Sequence, residues 1–270
     1  MNFDFPTFLV VASAITGGIW LIDALFFAPA RNERAVGAPR DPLMVEYARS
    51  FFPVIFAVLV LRSFLVEPFR IPSGSMMPTL LVGDFILVNK FSYGIRLPVL
   101  NKKVIDIDLP QRGDVAVFRY PKQPWIDYIK RIVAVPGDTI HYRGKVLYIN
   151  GKPMQQTPVG IYNGTGGGAR ISGYLRAVED LNGVEHEILM HPMAPDLAMG
   201  CNVLSRGPFT IPEGHYFVMG DNRDNSNDSR CWGLVPEENL IGEAFAIWMN
   251  WDGEKTGFPI SWERIGRAIN

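Results

Sequence analysis

Apolar positions crowd the front of the chain. From Phe5 to Ile22 there is no charged residue, and up to Ala30 the only one is Asp23. At about 1.5 Å rise per residue, a helix over 5–30 is long enough for the roughly 30 Å hydrocarbon core of a bilayer. A second run, 50–66, is broken only by Arg62, which must reach the interface or face protein. Pro53 and Arg62 leave a buried amphipathic helix as the alternative for this run. A cleaved signal peptide would carry a basic leading region, whereas the first basic residue here is Arg31. The segment between the runs holds Arg31, Arg34, Arg40 and Arg49, and positive charge marks the cytoplasmic side. A cytoplasmic loop is therefore expected at 31–49, with both chain ends and everything from about Glu67 onward outside the cytoplasmic membrane.

Beyond Glu67 the period changes. Phe85–Val88, Val115–Phe118, Tyr128–Val135, Tyr216–Met219 and Ala244–Met249 are short runs rich in β-branched and aromatic residues. Gly83-Asp84, Gly113-Asp114 and Pro136-Gly137-Asp138 punctuate them as turns. Lys145–Ile149 followed by Asn150-Gly151 predicts a hairpin. Between 155 and 210 the alternation weakens, with Gly166-Gly167-Gly168 and scattered prolines. The pattern predicts a mostly β domain in two parts, 67–154 and 211–270, with a subdomain inserted at 155–210.

Composition narrows the function. The 26 basic and 27 acidic residues give a net charge of −1, so no broad positive field exists to gather nucleic acid. Two cysteines exclude both a disulfide-built scaffold and a four-thiolate zinc site. His186 and His191 frame a zincin-like run one residue too long, which puts the rings on different faces of a helix or strand. The acidic run Asp221–Asp228 lacks the glycine and closing glutamate of a calcium loop. The triplets at Asn163 and Asn227 are too common to carry weight. No Gly-x-Ser-x-Gly elbow occurs, and no serine has a lysine three residues later.

Three segments remain. In Ile71-Pro72-Ser73-Gly74-Ser75-Met76-Met77-Pro78-Thr79-Leu80, two prolines restrain the backbone around two serines. An ordinary linker has the same composition. In Asp127-Tyr128-Ile129-Lys130-Arg131-Ile132-Val133, a lysine sits inside an apolar strand, either as an edge residue or as a buried amine able to accept a proton. Gly220–Arg230 is a dense polar loop, either a solvated turn or a support in which Ser226 orients an amine and Asp228 pairs with Arg230.

Together, in this order and behind two spans, the segments resemble bacterial signal peptidase I, a membrane-bound protease with a Ser–Lys dyad. The resemblance implies a mostly antiparallel β catalytic core with an inserted smaller β subdomain. It implies Ser75 as nucleophile, Lys130 as general base, and Ser73 with the Ser75 amide as oxyanion donors. Ser226 would position Lys130, and Asp228 with Arg230 would form a supporting ion pair. Ile71, Met76, Leu80, Tyr128 and Ile129 are the candidate lining of shallow substrate pockets. No metal or other cofactor is expected. The implied partners are signal-peptide-bearing pre-proteins and membrane lipid, at the inner membrane. Cys231 follows the last motif where an aromatic residue is expected, and a bond to Cys201 is left open. A self-cleaving Ser–Lys protease and a non-enzymatic tethered binding module remain alternatives.

Overall fold

The computed structural model describes residues 5–34, 40–97, 102–205 and 207–270. Met1 and 35–39, part of the expected cytoplasmic loop, lie outside the described residues. The described residues divide into a helical unit and a β unit.

In the helical unit, α1 (Phe5–Ile22) continues through a π-helical turn, Asp23–Phe27, into α2 (Ala28–Arg34). Helix α3 (Leu43–Val60) ends in a second π-helical turn, Leu61–Leu65. Two stretches, Thr7–Glu33 and Leu43–Ser63, are long and apolar enough to cross a membrane. The second helix thus starts well before Ser50, inside the stretch expected as loop. Its start follows Pro42, which is compatible with a first turn, while Glu46 and Arg49 interrupt hydropathy without interrupting a helix. For the same reason the first helix runs past Ala30.

Gly17 lets the two helices approach closely: a Cβ there would lie 2.7 Å from the Phe52 ring. Asp23 is nearly buried and takes both Arg31 Nη1 and Nη2 at 2.8 Å. Arg31 also reaches Asp41 at 2.7 Å, and Asp41 meets Arg49 at 3.5 Å. A carboxylate in an apolar helix is costly unless paired in this way.

The β unit opens with β1 (Val66–Arg70) and β2 (Asp84–Asn89). The hairpin of β3 (Ile95–Arg96) and β4 (Lys103–Ile105) groups with the helical unit. Strands β5 (Val115–Arg119) and β6 (Asp127–Ala134) follow. Next come β7 (Thr139–Arg143), β8 (Val146–Ile149) and β9 (Lys152–Pro153). Then β10 (Gln155–Ile161), β11 (Leu175–Asp180), β12 (Glu185–Met190) and β13 (Phe209–Thr210) occur. The chain closes with β14 (His215–Met219), the single turn α4 (Ser229–Trp232), β15 (Val235–Pro236) and β16 (Leu240–Asn250).

The large sheet has the order β1-β2-β16-β5-β6-β14-β15, with antiparallel pairing along β2-β16-β5-β6-β14-β15. Met76, Leu80, Ile86, Val88, Val115, Val117 and Ile247 fill one core beside it. Gly83 bridges the Ser75 segment and β2 with φ +87°, and a side chain there would run into the Trp251 carbonyl.

Two smaller sheets complete the unit, β13-β7-β8-β9 and β10-β11-β12. The chain therefore leaves the large sheet at Thr139, earlier than the expected boundary at 155. β7 and β13 pair across about seventy residues, which no local pattern announces. Asn150 and Gly151 both take left-handed φ, 53° and 78°, in the turn between β8 and β9.

Candidate active site

Ser75 lies in a one-turn 3₁₀ helix, Gly74–Met76, between the two prolines. Lys130 stands opposite Ala116 in the middle of the large sheet. Both are buried, at 8% and 4% exposure. Lys130 Nζ donates to Ser75 Oγ at 2.8 Å and to the Ile129 carbonyl at 2.7 Å. Burial pushes the amine down to about 8, against the opposing pull of Asp228 and Asp221. An amine so placed can take the serine's proton near neutral pH. Ser73 is exposed, and its Oγ lies 3.4 Å from Ser75 Oγ.

The polar loop packs directly behind Ser75 and Lys130. Arg230 Nε and Nη2 donate to the two Asp228 oxygens at 2.9 and 2.8 Å. Burial raises the Asp228 carboxyl, but the Arg230 guanidinium more than offsets it and holds the group below the usual carboxylate range. Asp228 also accepts from the Gly220 amide at 3.1 Å and caps α4 through the Arg230 amide. Ser226 departs from expectation. Its Oγ is buried without a well-formed hydrogen bond, and none joins it to Lys130. It sits over Gly220 and close enough to Asp228 to favour that carboxylate's charge. The Ile129 carbonyl, not Ser226, is the second partner of the amine.

Ile71, Met76, Leu80 and Ile129 share one apolar cluster, with Met76 and Leu80 fully buried. Tyr128 belongs to a different cluster with Phe118 and Trp232, its ring centroid 5.4 Å from Lys130 Nζ. Cys201 and Cys231 are joined by a disulfide, so the residue after Arg230 is tied to the segment preceding β13.

Several contributors escaped the sequence. Arg131 forms a fully buried two-point pair with Asp221, at 2.9 and 2.8 Å, and Thr79 Oγ1 donates to Asp221 at 2.6 Å. The Asn222 amide donates to the Ser75 carbonyl at 3.1 Å, and Asn222 Nδ2 to the Gly74 carbonyl at 3.0 Å. Nothing in one sequence pairs Arg131 with a residue ninety positions on. No histidine hydrogen-bonds to Ser75 among the described residues. His186 is driven down to about 4 by burial and by Arg131, so it is neutral. No metal-holding cluster of His, Cys, Asp and Glu occurs among the described residues.

The family "Signal peptidase, peptidase S26" matches residues 44–251. Signal peptidase I of Pseudomonas fluorescens is 50% identical, with 98% of this chain and 99% of the relative aligned. Signal peptidase I of Haemophilus influenzae is 34% identical over 98% of this chain and 92% of its own. A crystal structure of a signal peptidase I from Enterococcus faecalis is 29% identical, covering 51% of this chain and 98% of that one, with a TM-score of 0.31. The chain belongs to the signal peptidase I family, peptidase S26, and is a membrane-anchored serine endopeptidase that removes signal peptides.

Proposed function

We propose that Ser75 is the nucleophile and Lys130 its general base, acting on pre-proteins at the outer face of the inner membrane. The observation that carries the assignment is the 2.8 Å contact between Lys130 Nζ and Ser75 Oγ in a buried site. Ser75 Oγ attacks the scissile carbonyl while neutral Lys130 takes its proton. The ammonium then protonates the leaving amine, and the same lysine activates the water that hydrolyses the acyl-enzyme. The Ser75 amide and the Ser73 hydroxyl stabilise the oxyanion, a Ser73-type donor being worth about 2.7–4 kcal/mol. Asp228 and Arg230 hold the loop behind the dyad, and Ser226 completes the surroundings of the ammonium once it forms.

The substrate adds as an extended segment along a sheet edge. Its small residues before the cut lie against Tyr128 and Ile129, with Ile71, Met76 and Leu80 packed behind Ile129. Both apolar helices span the bilayer in contact with lipid, with the segment between them cytoplasmic and residues 67–270 outside, including the part that leaves the large sheet, 139–210. The arginines between the helices support this orientation.

The test is cleavage of a purified pre-protein by the full chain in lipid vesicles, with Ser75→Ala as control. Loss of cleavage in Ser75→Ala is expected; retained cleavage sinks the assignment. Reporter fusions after Arg49 and at Asn270 test the orientation, and a cytoplasmic C-terminus would overturn it.

A further inference from the structure

The peptide groups of 221–223 are claimed from two sides. On one side lies the nucleophile: the Asn222 amide holds the Ser75 carbonyl. On the other lies β12, where Leu189 N donates to the Asp221 carbonyl and Arg223 N to the Leu189 carbonyl, both at 2.9 Å. This is an isolated parallel bridge, Leu189 to Asn222, and it extends no sheet. One residue of the loop thus separates the three-stranded sheet from the backbone of the nucleophile.

A buried ion pair reinforces this junction. Glu179 on β11 is 0% exposed and Arg223 is 1% exposed. Arg223 Nη1 donates to Glu179 Oε1 at 2.7 Å, and Nη2 bonds Oε2. Gln156 on β10 donates to Glu179 Oε1 at 3.0 Å, so a second strand steadies the acceptor. His186, paired with Glu179 in the β11–β12 ladder, lies between the Glu179 and Asp221 carboxylates at 3.5 and 3.8 Å. Downstream, the His191 amide donates to Asp224 at 2.8 Å, and the Arg223 carbonyl accepts from Arg230 Nη2 at 2.5 Å. The same few residues therefore link the three-stranded sheet both to Ser75 and to the Asp228–Arg230 pair.

A buried pair of this kind adds little net stability compared with apolar residues of equal volume. What it supplies is direction: a rigid two-point fork fixes where the Arg223 backbone lies. We propose that Glu179, acting through Arg223, is a positioning residue of the peptidase reaction. The three-stranded sheet is a template for 221–223, and the template sets the backbone of Ser75 through Asn222. A displacement on the order of 1 Å in a reacting group can cost about a hundredfold in rate, so modest loosening at this remove is felt in kcat.

The inference rests on the peptidase reading above, and the wild-type chain in the same assay tests that reading separately. The full chain is reconstituted in lipid vesicles and given a purified pre-protein. The decisive variant is Glu179→Gln combined with Arg223→Met, which removes both charges while keeping volume. The expected result is a kcat lowered about tenfold or more, with KM within about twofold and the melting temperature held. Wild-type kcat in this folded variant overturns the proposal, as does a loss that merely tracks the folded fraction. If the double variant does not fold, Glu179→Asp decides, since it keeps the charge but shortens the reach. Lowered kcat in folded Glu179→Asp supports the template, and unchanged kcat overturns it. Wild-type failure to cleave would instead refute the peptidase reading.

Discussion

Gly220 offers a sharp test of how the dyad is held. It carries no chemistry, yet its Cα is wedged between Ser75 and Ser226. A Cβ at this position would lie 2.5 Å from the Ser75 carbonyl oxygen and 2.6 Å from Ser226 Cβ, with Ser226 Oγ nearer still. Comfortable contacts between such atoms begin at roughly 3.4 Å, so Gly220→Ala forces a displacement of about 1 Å. The Ser226 side chain can rotate away, but the Ser75 carbonyl is fixed by the Asn222 amide at 3.1 Å. The shift therefore reaches Ser75 and its 2.8 Å bond to Lys130. A loss of about a hundredfold in kcat/KM is expected, or about 2.7 kcal/mol in the barrier. Overpacking should lower global stability by only about 1–3 kcal/mol. Cleavage of a purified pre-protein, normalised to the folded fraction from thermal melts, separates the two effects. A folded Gly220→Ala enzyme within about threefold of wild type would refute the reasoning.

Four further outcomes are expected. With Lys130 as the proposed base, the active species carries it neutral, so kcat/KM should rise about tenfold per pH unit and level off above its pKa of about 8; a flat profile, or a midpoint near 10, contradicts this. Lys130→Arg should be inactive because guanidinium keeps its proton, and measurable turnover would remove Lys130 as the base. Asp228→Ala strands a buried Arg230 and should cost about 3–5 kcal/mol in denaturant titration, whereas Ser226→Ala should slow cleavage with little change in stability; equal, negligible effects would reduce the loop to a solvated turn. Reducing the Cys201–Cys231 bond, which spans a separation of 30 residues, should lower stability by roughly 3.5 kcal/mol by loop entropy, and an unchanged melting curve would count against it.

Local signals carried far in this chain. Short β-branched runs and Gly-Asp turns located Val115–Arg119, His215–Met219 and the Asn150-Gly151 hairpin, because alternation and left-handed turns are properties of neighbouring residues. The motif resemblance named Ser75 and Lys130, which the fold brings into hydrogen-bonding contact across a sequence separation of 55. Hydropathy misjudged where the second helix begins, since Glu46 and Arg49 look like loop by charge but sit on exposed turns of a continuing helix. It could not announce that Thr139 starts a new sheet, because the sheet a strand joins is decided by its pairing partner, which for β7 is the distant β13. The buried partners Arg131–Asp221 and Glu179–Arg223 are set by tertiary packing alone. Ser226 shows a different limit: its motif position implies contact with Lys130, but the hydrogen bond is absent.

The Asn222–Ser75 hydrogen bond also bears on the order in which the protein becomes competent. The Ser75 segment is made early, while the amide that fixes it belongs to Asn222, far downstream. Contacts of such long range form late, after the entropy of closing the intervening chain has been overcome. A growing chain that has emerged only as far as Ser75 and Lys130 therefore holds a serine and a lysine but not a fixed dyad. The backbone around Ser75 is therefore complete only once Gly220–Arg230 has packed against it.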